Sequence, residues 1–432
     1  MISNTDYHFL SKALSLARYG GTAVKPNPSV GAVIVKNGRI LADGYHPYFG
    51  GPHAEAVALQ KAGSEAKEAT LYCNLEPCSF DAPDKHNEPC TKKIIRSGIS
   101  RVVIAQMDPN RNVRGQGIEQ LRKAGIKVEL AENNSYQKSS IVKDAWYTNA
   151  FFNTVHALNR AFVTIKLAQS LDGKIATALG DSKWITDEKA RAEVHRLRRQ
   201  HDAVLVGVGT VCADNPRLTV RIPEPQTVQP DKSAKKPDAS QTAAGNDTAA
   251  INQPTAIVLD PFAKIPADSY LVKNRAENLI VYTAEEDEIR RHPENGLAAF
   301  QSRKAVLRAY GVTVQGIPLI DDGQLSLQSI LQNLKEKGLY SVLIEGGAKT
   351  ATNFLRQQLF DALRIYISPM LIGGDGRGIG SLGVEHISDA LQLERIHTKT
   401  IGRQAVVSGF RKSWIEEVMN SIKEEQYVYG AC

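Results

Sequence analysis

The sequence predicts an α/β protein of two domains, each a sheet flanked by helices, and three observations carry that reading. The chain has 432 residues, more than one hydrophobic core usually organises. Short β-branched runs alternate with stretches of helical periodicity along most of its length, the pattern of strands covered by helices. Near residue 150 the alternation pauses and then restarts, so domains over 1–150 and 151–432 are expected.

Elements follow in order. From Asp6 to Tyr19, Phe9, Leu10, Ala13, Leu14 and Ala17 recur at helical spacing, with Thr5 or Asp6 as the expected cap and Gly20-Gly21 as the stop. Val30–Val35 and Arg39–Gly44 flank Asn37-Gly38, a two-residue turn signal for an antiparallel hairpin. A helix over Ala54–Ala62, a strand over Thr70–Leu75, a helix over Thr91–Ser97, a strand over Arg101–Gln106, a helix over Gly117–Ala124 and a strand over Ile126–Leu130 complete a three-layer sandwich. A helical connector spans Ser135–Asn153, and a new strand opens with Phe162–Leu167. The second domain then reads as a helix over Asp187–Arg199, strands at Asp202–Val208, Thr255–Asp260 and Asn278–Thr283, a helix at Leu327–Lys337, a strand at Ser341–Glu345, a helix at Thr350–Gln358 and a strand at Leu363–Ser368. Crossover helices between strands make its sheet mostly parallel. Residues 222–254 are almost without large apolar side chains, cannot offset the entropy of ordering, and are predicted to be a mobile surface loop.

Bulk properties narrow the function. At 42% hydrophobic and 23% charged residues the chain is an ordinary globular protein and not a disordered one. A polar beginning, Met1 to Asp6, and no apolar run of membrane-spanning length predict a cytoplasmic protein without membrane attachment. Five cysteines, Cys73, Cys78, Cys90, Cys212 and Cys432, are too few and too odd in number for a disulfide framework, and metal ligation by a subset fits better. The formal charge of +7 suits anionic ligands such as phosphates. Its Lys and Arg residues form no block with interleaved aromatics, so no nucleic-acid partner is expected.

The pattern richest in chemistry is His53-Ala54-Glu55 opening a helix, followed by Pro77-Cys78 after a strand and by Cys90. One histidine and two cysteines on zinc, with a glutamate that is not a ligand, is the arrangement of hydrolytic zinc deaminases. Such a reaction needs a nucleophile stronger than neutral water, and zinc with three protein ligands and one open position lowers the pKa of water to about 7. Glu55 is then placed to move protons near the metal without binding it. Taken singly, His53 would be an ordinary helix-start residue and the cysteines small buried hydrophobes. His86, between the cysteines, is the rival third ligand.

Further strings extend the pattern. Lys25-Pro26-Asn27-Pro28-Ser29-Val30-Gly31, Gly44-Tyr45-His46, Gly51-Pro52-His53-Ala54-Glu55, Leu75-Glu76-Pro77-Cys78-Ser79 and Asp108-Pro109-Asn110 through Gly115-Gln116-Gly117 resemble the deaminase half of the bifunctional riboflavin-biosynthesis family, the RibD type. The resemblance implies a cytidine-deaminase-like α/β/α sandwich, one Zn2+ on His53, Cys78 and Cys90, Glu55 as the catalytic proton shuttle, and Asn27 and His46 in the substrate pocket. The segment Phe80 to Pro89 departs from the family, which has a shorter, Gly-Arg-Thr-Pro-Pro-rich piece there.

In the second half stand Lys166-Leu167-Ala168-Gln169-Ser170-Leu171-Asp172-Gly173-Lys174, Ser182-Lys183-Trp184-Ile185-Thr186, Gly207-Val208-Gly209-Thr210 to Pro216, and Glu345-Gly346-Gly347. A strand ending in Glu345-Gly346-Gly347 before a helix offers free backbone N–H groups to an anion. These strings are similar to the reductase half of the same family, and imply a dihydrofolate-reductase-like α/β domain that uses NADPH. The resemblance implies cofactor contacts from Ala168, Trp184, Thr210, Asp214, Gly347, Ala348, Lys349, Thr350, Ala351, Thr352 and Asn353. It implies substrate contacts from Ser182, Arg198, Leu218, Arg221 and Glu345; Lys166 is a further substrate-binding candidate, and Lys166 and Asp214 are candidates to assist proton movement at the sugar. The expected partners are small phosphoribosylaminopyrimidines, and the expected assembly is a homo-oligomer. Two other readings stay open: a nucleic-acid deaminase, and a live reductase joined to an impaired deaminase module.

Overall fold

The computed structural model describes residues 2–80, 88–131, 140–221, 253–291, 296–320 and 323–429, with side chains to 423. The chain divides into two compact units, residues 1–162 with 413–432, and residues 163–412. The pause expected near 150 falls inside a helix, Ala150–Ala157, and the terminal helix Trp414–Tyr429 joins the first unit. Local pattern does not reveal that return, because it depends on contacts across about 260 residues of chain, such as Trp414 Nε1 donating to Thr154 Oγ1 at 2.9 Å.

In the first unit α1 (Asn4–Ala17) leads into the hairpin β1 (Gly31–Lys36) and β2 (Arg39–Tyr45), then α2 (Ala54–Ala62), β3 (Thr70–Cys73), α3 (Cys90–Arg96), β4 (Arg101–Ile104), α4 (Gln116–Lys123), β5 (Lys127–Leu130), α5 (Ser140–Thr148) and α6 (Ala150–Ala157). The cap of α1 is Ser3, not Thr5 or Asp6: its Oγ accepts the Asp6 amide while Asp6 accepts the Ser3 amide, a reciprocal capping box. Asn37 and Gly38 both take positive φ, 51° and 74°, as a tight hairpin with the twist of its strands requires. The sheet order is β2-β1-β3-β4-β5, antiparallel at β1 and parallel from β3 to β5. A Cβ on Gly44 would meet the Ala54 carbonyl oxygen at 2.5 Å, so glycine lets α2 lie directly on β2. Arg101 on β4 reaches Asp6 of α1 and Glu129 of β5, and Tyr72 also bonds Asp6. These partly buried ions are satisfied by one another.

The second unit runs β6 (Phe162–Ser170), α7 (Glu188–Arg199), β7 (Ala203–Gly207), α8 (Val208–Asp214), β8 (Thr255–Leu259), α9 (Tyr270–Arg275), β9 (Leu279–Ala284), α10 (Glu286–Arg291), α11 (Leu297–Ala309), β10 (Thr313–Ile317), α12 (Leu327–Glu336), β11 (Ser341–Ile344), α13 (Ala348–Arg356), β12 (Ala362–Ser368), β13 (Leu393–Ile401) and β14 (Gln404–Arg411). Among the described residues its sheet order is β10-β9-β8-β7-β11-β6-β12-β14-β13. Pairing from β10 to β8, β8 with β7, β7 with β11, and β6 with β12 is parallel, as the crossover pattern predicts; β14 pairs antiparallel with both β12 and β13. The hairpin β13–β14 was not anticipated, because β13 is exposed along most of its length and shows no alternation of apolar and polar residues. Central strands β7 and β11 are buried almost throughout, which is why they read as continuous apolar runs. The loop predicted over 222–254 lies, except for its last two residues, outside the described residues. No helix among the described residues is long and apolar enough to cross a membrane.

Candidate active sites

Three loops of the first unit bring the metal pattern together. His53 occupies the N-cap position of α2, Cys90 is the first residue of α3, and Cys78 follows the end of β3. The Cys90 amide donates to Cys78 Sγ at 3.4 Å, and the Thr91 amide donates to the Cys78 carbonyl. His53 Nδ1 lies 3.5 Å from Cys78 Sγ and 3.3 Å from Cys90 Sγ. All three ligand atoms fall within 4.8 Å of one another. Tetrahedral zinc, with bonds of about 2.0 Å to nitrogen and 2.3 Å to sulfur, needs N···S edges of about 3.5 Å; the donor set fits that ion in both spacing and softness. In this tight thiol pair the Cys78 sulfur is stabilised as thiolate by the Cys90 hydrogen bond and then His53, which hold its pKa down to about 4. The rival His86 lies outside the described residues.

Glu55, in the first turn of α2, is buried, and its carboxyl bonds the Cys90 thiol. Burial raises its pKa, and His53 opposes that rise. His46 is also buried, its ring 5.3 Å from that of His53. Its Nδ1–H donates to the Pro52 carbonyl at 2.9 Å, which leaves Nε2 to accept from Asn27 Nδ2 at 3.3 Å. Asn27 and His46 are thus joined beside the ligand cluster. The Asp108-Pro109-Asn110 and Gly115-Gln116-Gly117 strings have a structural reason as well. Buried Glu76 accepts the amides of Asp108, Gly115, Gly117 and Ile118 at 3.2, 2.9, 3.0 and 3.3 Å, which ties that loop to the strand end carrying Cys78.

Replacing Cys78 or Cys90 by Ser is expected to abolish stoichiometric zinc binding, read by metal analysis after dialysis. A full equivalent retained by Cys90→Ser would remove that residue from the ligand set and bring His86 forward.

The second unit holds two adjoining cavities. The larger, about 710 Å3, is bounded by Gly207–Thr210, the β8 end from Leu259 to Lys264, and Gly347, Ala348, Lys349, Thr350 and Asn353 at the start of α13. The Gly347 amide donates to Thr210 Oγ1 at 3.2 Å. The first-turn amides of α13 make this end suited to a pyrophosphate. Ala351 and Thr352 line neither cavity. Ala351 is buried, and Thr352 Oγ1 accepts the Gly380 amide at 2.9 Å.

The smaller cavity, about 370 Å3, contains Lys166, Ala168, Ser182, Trp184, Arg198, Arg221 and Glu345 from the sequence-based set, and shares Ser182, Thr210, Asp214 and Gly347 with its neighbour. Leu218 is buried, has a φ of 51°, and lines neither. Arg198 and Glu345 are bound to each other: Nε and Nη2 meet the two carboxylate oxygens at 2.6 and 2.9 Å, and Nη1 donates to the Thr219 carbonyl at 2.9 Å. Against its own burial Glu345 is held below the ordinary carboxylate range by Arg198 and Lys166; burial lowers Lys166. Sequence reasoning missed Arg191 and His195 in this cavity and Lys264 and Arg377 in the larger one. The signal for the first two was present, since 191, 195 and 198 fall on one helical face.

Comparison with known proteins finds a match in both halves of the chain. Residues 3–106 match the family described as cytidine and deoxycytidylate deaminase zinc-binding region, and residues 161–407 match the RibD C-terminal domain. The riboflavin biosynthesis protein RibD of Aquifex aeolicus is 38% identical over 407 residues, 94% of this chain and 99% of that protein.

The chain belongs to the RibD family.

RibD of Escherichia coli is 34% identical, with 92% of this chain and 97% of that protein covered. Among solved structures, Acinetobacter baumannii RibD superposes with a TM-score of 0.70 at 29% identity over 94% of this chain and 99% of that one. The Thermotoga maritima diaminohydroxyphosphoribosylaminopyrimidine deaminase/5-amino-6-(5-phosphoribosylamino)uracil reductase gives 0.64 at 34% identity over 94% and 98%. As a member of that family, the chain combines a deaminase domain of the zinc-binding type with a reductase domain of the NADPH-dependent type, for riboflavin biosynthesis.

Proposed function

We propose that the first unit deaminates diaminohydroxyphosphoribosylaminopyrimidine and that the second reduces the resulting 5-amino-6-(5-phosphoribosylamino)uracil with NADPH to the ribitylamino product. The observation that carries this reading is the meeting of His53, Cys78 and Cys90 beside buried Glu55. It also speaks against an impaired deaminase, since ligands and proton shuttle stand together despite the unusual segment between the cysteines.

Bound zinc supplies Lewis acidity that makes water a nucleophile near neutral pH. His53, Cys78 and Cys90 would hold the ion, and Glu55 is placed to take a proton from the attacking water. It returns that proton to the ring nitrogen and then carries the second proton, from the added hydroxyl, to the amino group, which leaves as ammonia. The Asn27–His46 pair, fixed by the Pro52 carbonyl, orients the pyrimidine edge.

In the second unit the bound dinucleotide supplies the hydride. Thr210 and the α13 amides hold its phosphates, with Lys349, Thr350 and Asn353 alongside. Ser182 and Asp214 border both cavities, and Trp184 and Ala168 line the smaller one, where the reacting carbons must be aligned. Arg221 meets the ribose phosphate, while the Arg198–Glu345 pair and Lys166 make a fixed polar floor against the sugar. The proposed partners are small molecules, without nucleic acid or membrane; a homo-oligomeric, cytoplasmic protein is the accompanying proposal.

Product masses test the sequence of reactions. The diaminopyrimidine phosphate should gain about one mass unit without NADPH, from NH replaced by O, and about two more with it, from two added hydrogens. A gain of two units without the preceding one would mean that the deaminase step does not occur here.

A further inference from the structure

In the smaller cavity of the second unit, α7 presents Arg191, His195 and Arg198 along one face, with Arg221 contributed by the loop beyond α8. Most of these polar edges are already engaged. Arg198 spends Nε, Nη1 and Nη2 on Glu345 and the Thr219 carbonyl. Arg191 donates to the Thr186 carbonyl at 2.6 Å and stacks 4.6 Å from the Trp184 ring. The Arg221 guanidinium has no hydrogen-bond partner among the described residues, and half-buried His195 keeps one ring nitrogen unused. His195 Nδ1 lies 3.0 Å from the Thr219 carbonyl oxygen and 3.3 Å from the Arg221 amide nitrogen. The shorter contact needs a proton on Nδ1, so Nε2 is the free edge of the ring.

That tautomer decides what the ring can bind. A neutral imidazole with its proton on Nδ1 offers a lone pair at Nε2, which repels phosphate oxygens. An imidazolium offers a charged donor there. We infer that His195 is a proton-linked ligand of the phosphate on the reductase substrate, neutral in the free protein and taking a proton from solvent as the phosphate settles beside Arg221. This rests on the proposed assignment of the cavity as the reductase substrate site.

The charges around the ring agree with a neutral resting state. Arg191 and Arg198 share its helix, Arg221 faces it from the loop, Lys166 stands on β6, and Asp214 ends α8. Glu345, at the end of β11, is largely neutralised by Arg198. Burial, then Arg198 and Arg221, hold the His195 pKa below the ordinary imidazole range. A phosphate dianion entering between His195 and Arg221 reverses that balance.

The test follows the Michaelis constant of the reductase step for the phosphorylated aminouracil, at saturating NADPH, between pH 6.5 and 8.5. In the native chain it should rise about tenfold over that range, as the proton becomes harder to supply. His195→Phe should raise it about tenfold at pH 6.5 and flatten its pH dependence with kcat little changed, and His195→Gln, which keeps a neutral donor, should recover part of the affinity without the slope. Sulfate, whose own charge is constant in this range, should inhibit the native enzyme more strongly at low pH. Arg221→Ala should weaken binding at every pH, and an unshifted melting transition of the reductase unit reports folding of the variants. A native slope retained in His195→Phe, a loss confined to kcat, or pH-independent sulfate inhibition each overturns the role of His195. If Arg221→Ala also leaves the Michaelis constant unchanged, the assignment of the cavity itself fails.

Discussion

Glu55→Gln is expected to lower ammonia release by about 1,000-fold, within the range contributed by a positioned acid–base group, while zinc remains at one equivalent per chain. Glutamine preserves shape and can still meet Cys90, so the fold and the ligand set are undisturbed. What it cannot do is accept the proton of the attacking water and return it to the ring. Glu55 is 3% exposed, so bulk water is poorly placed to substitute for it. NADPH oxidation with presynthesised aminouracil should be unaffected, because the reductase cavities lie wholly in the other unit. Deamination within tenfold of the native rate, with zinc in place, would eliminate Glu55 as the shuttle.

The second large effect belongs to Glu345. Its ion pair with Arg198 is nearly closed to solvent, with the two side chains 10% and 12% exposed. Glu345→Ala strands Arg198 beside Lys166, and breaking a buried pair in this way costs about 3–5 kcal/mol. At the sensitivity of a domain of this size, the melting transition of the reductase unit should fall by on the order of 10 °C. Reduction should be lost in the same variant, with ammonia release retained as the internal control. The sign of the pH effect is fixed. Because Glu345 titrates below the ordinary carboxylate range in the folded protein, its stabilisation is complete above the unfolded-state pKa of about 4.3 and fades as pH falls through the folded value. Calorimetry at pH 7 that finds the Glu345→Ala transition unmoved would show that the pair contributes nothing to stability.

Much of this was open to inspection in the chain itself, for reasons that differ by element. The hairpin at Asn37-Gly38 could be read because left-handed backbone at two successive positions demands a few residue types. The helix starting at His53 and the strand ending before Cys78 could be read because their apolar periods are local. The cap of α1 was misplaced by two or three residues, since Ser3, Thr5 and Asp6 can all cap and only the reciprocal bond to Asp6 chooses among them.

The reductase cavity shows the opposite case. Arg198 and Glu345 were both expected to hold substrate; the fold joins them, so their hydrogen-bonding capacity is largely committed before any ligand arrives. Ala351, Thr352 and Leu218, expected at the two sites, line neither cavity.

By itself, the sequence determined the α/β alternation and offered the His, Cys and Glu types of the candidate metal cluster, because those depend on neighbouring residues and on ligand chemistry. Tertiary structure alone decided that residues 413–429 return to the first unit, that Thr219 orients both Arg198 and His195, and which face of α13 borders the larger cavity. Each of those outcomes turns on a direction in space set by packing between distant segments, and no one-dimensional pattern encodes a direction until the chain has closed on itself.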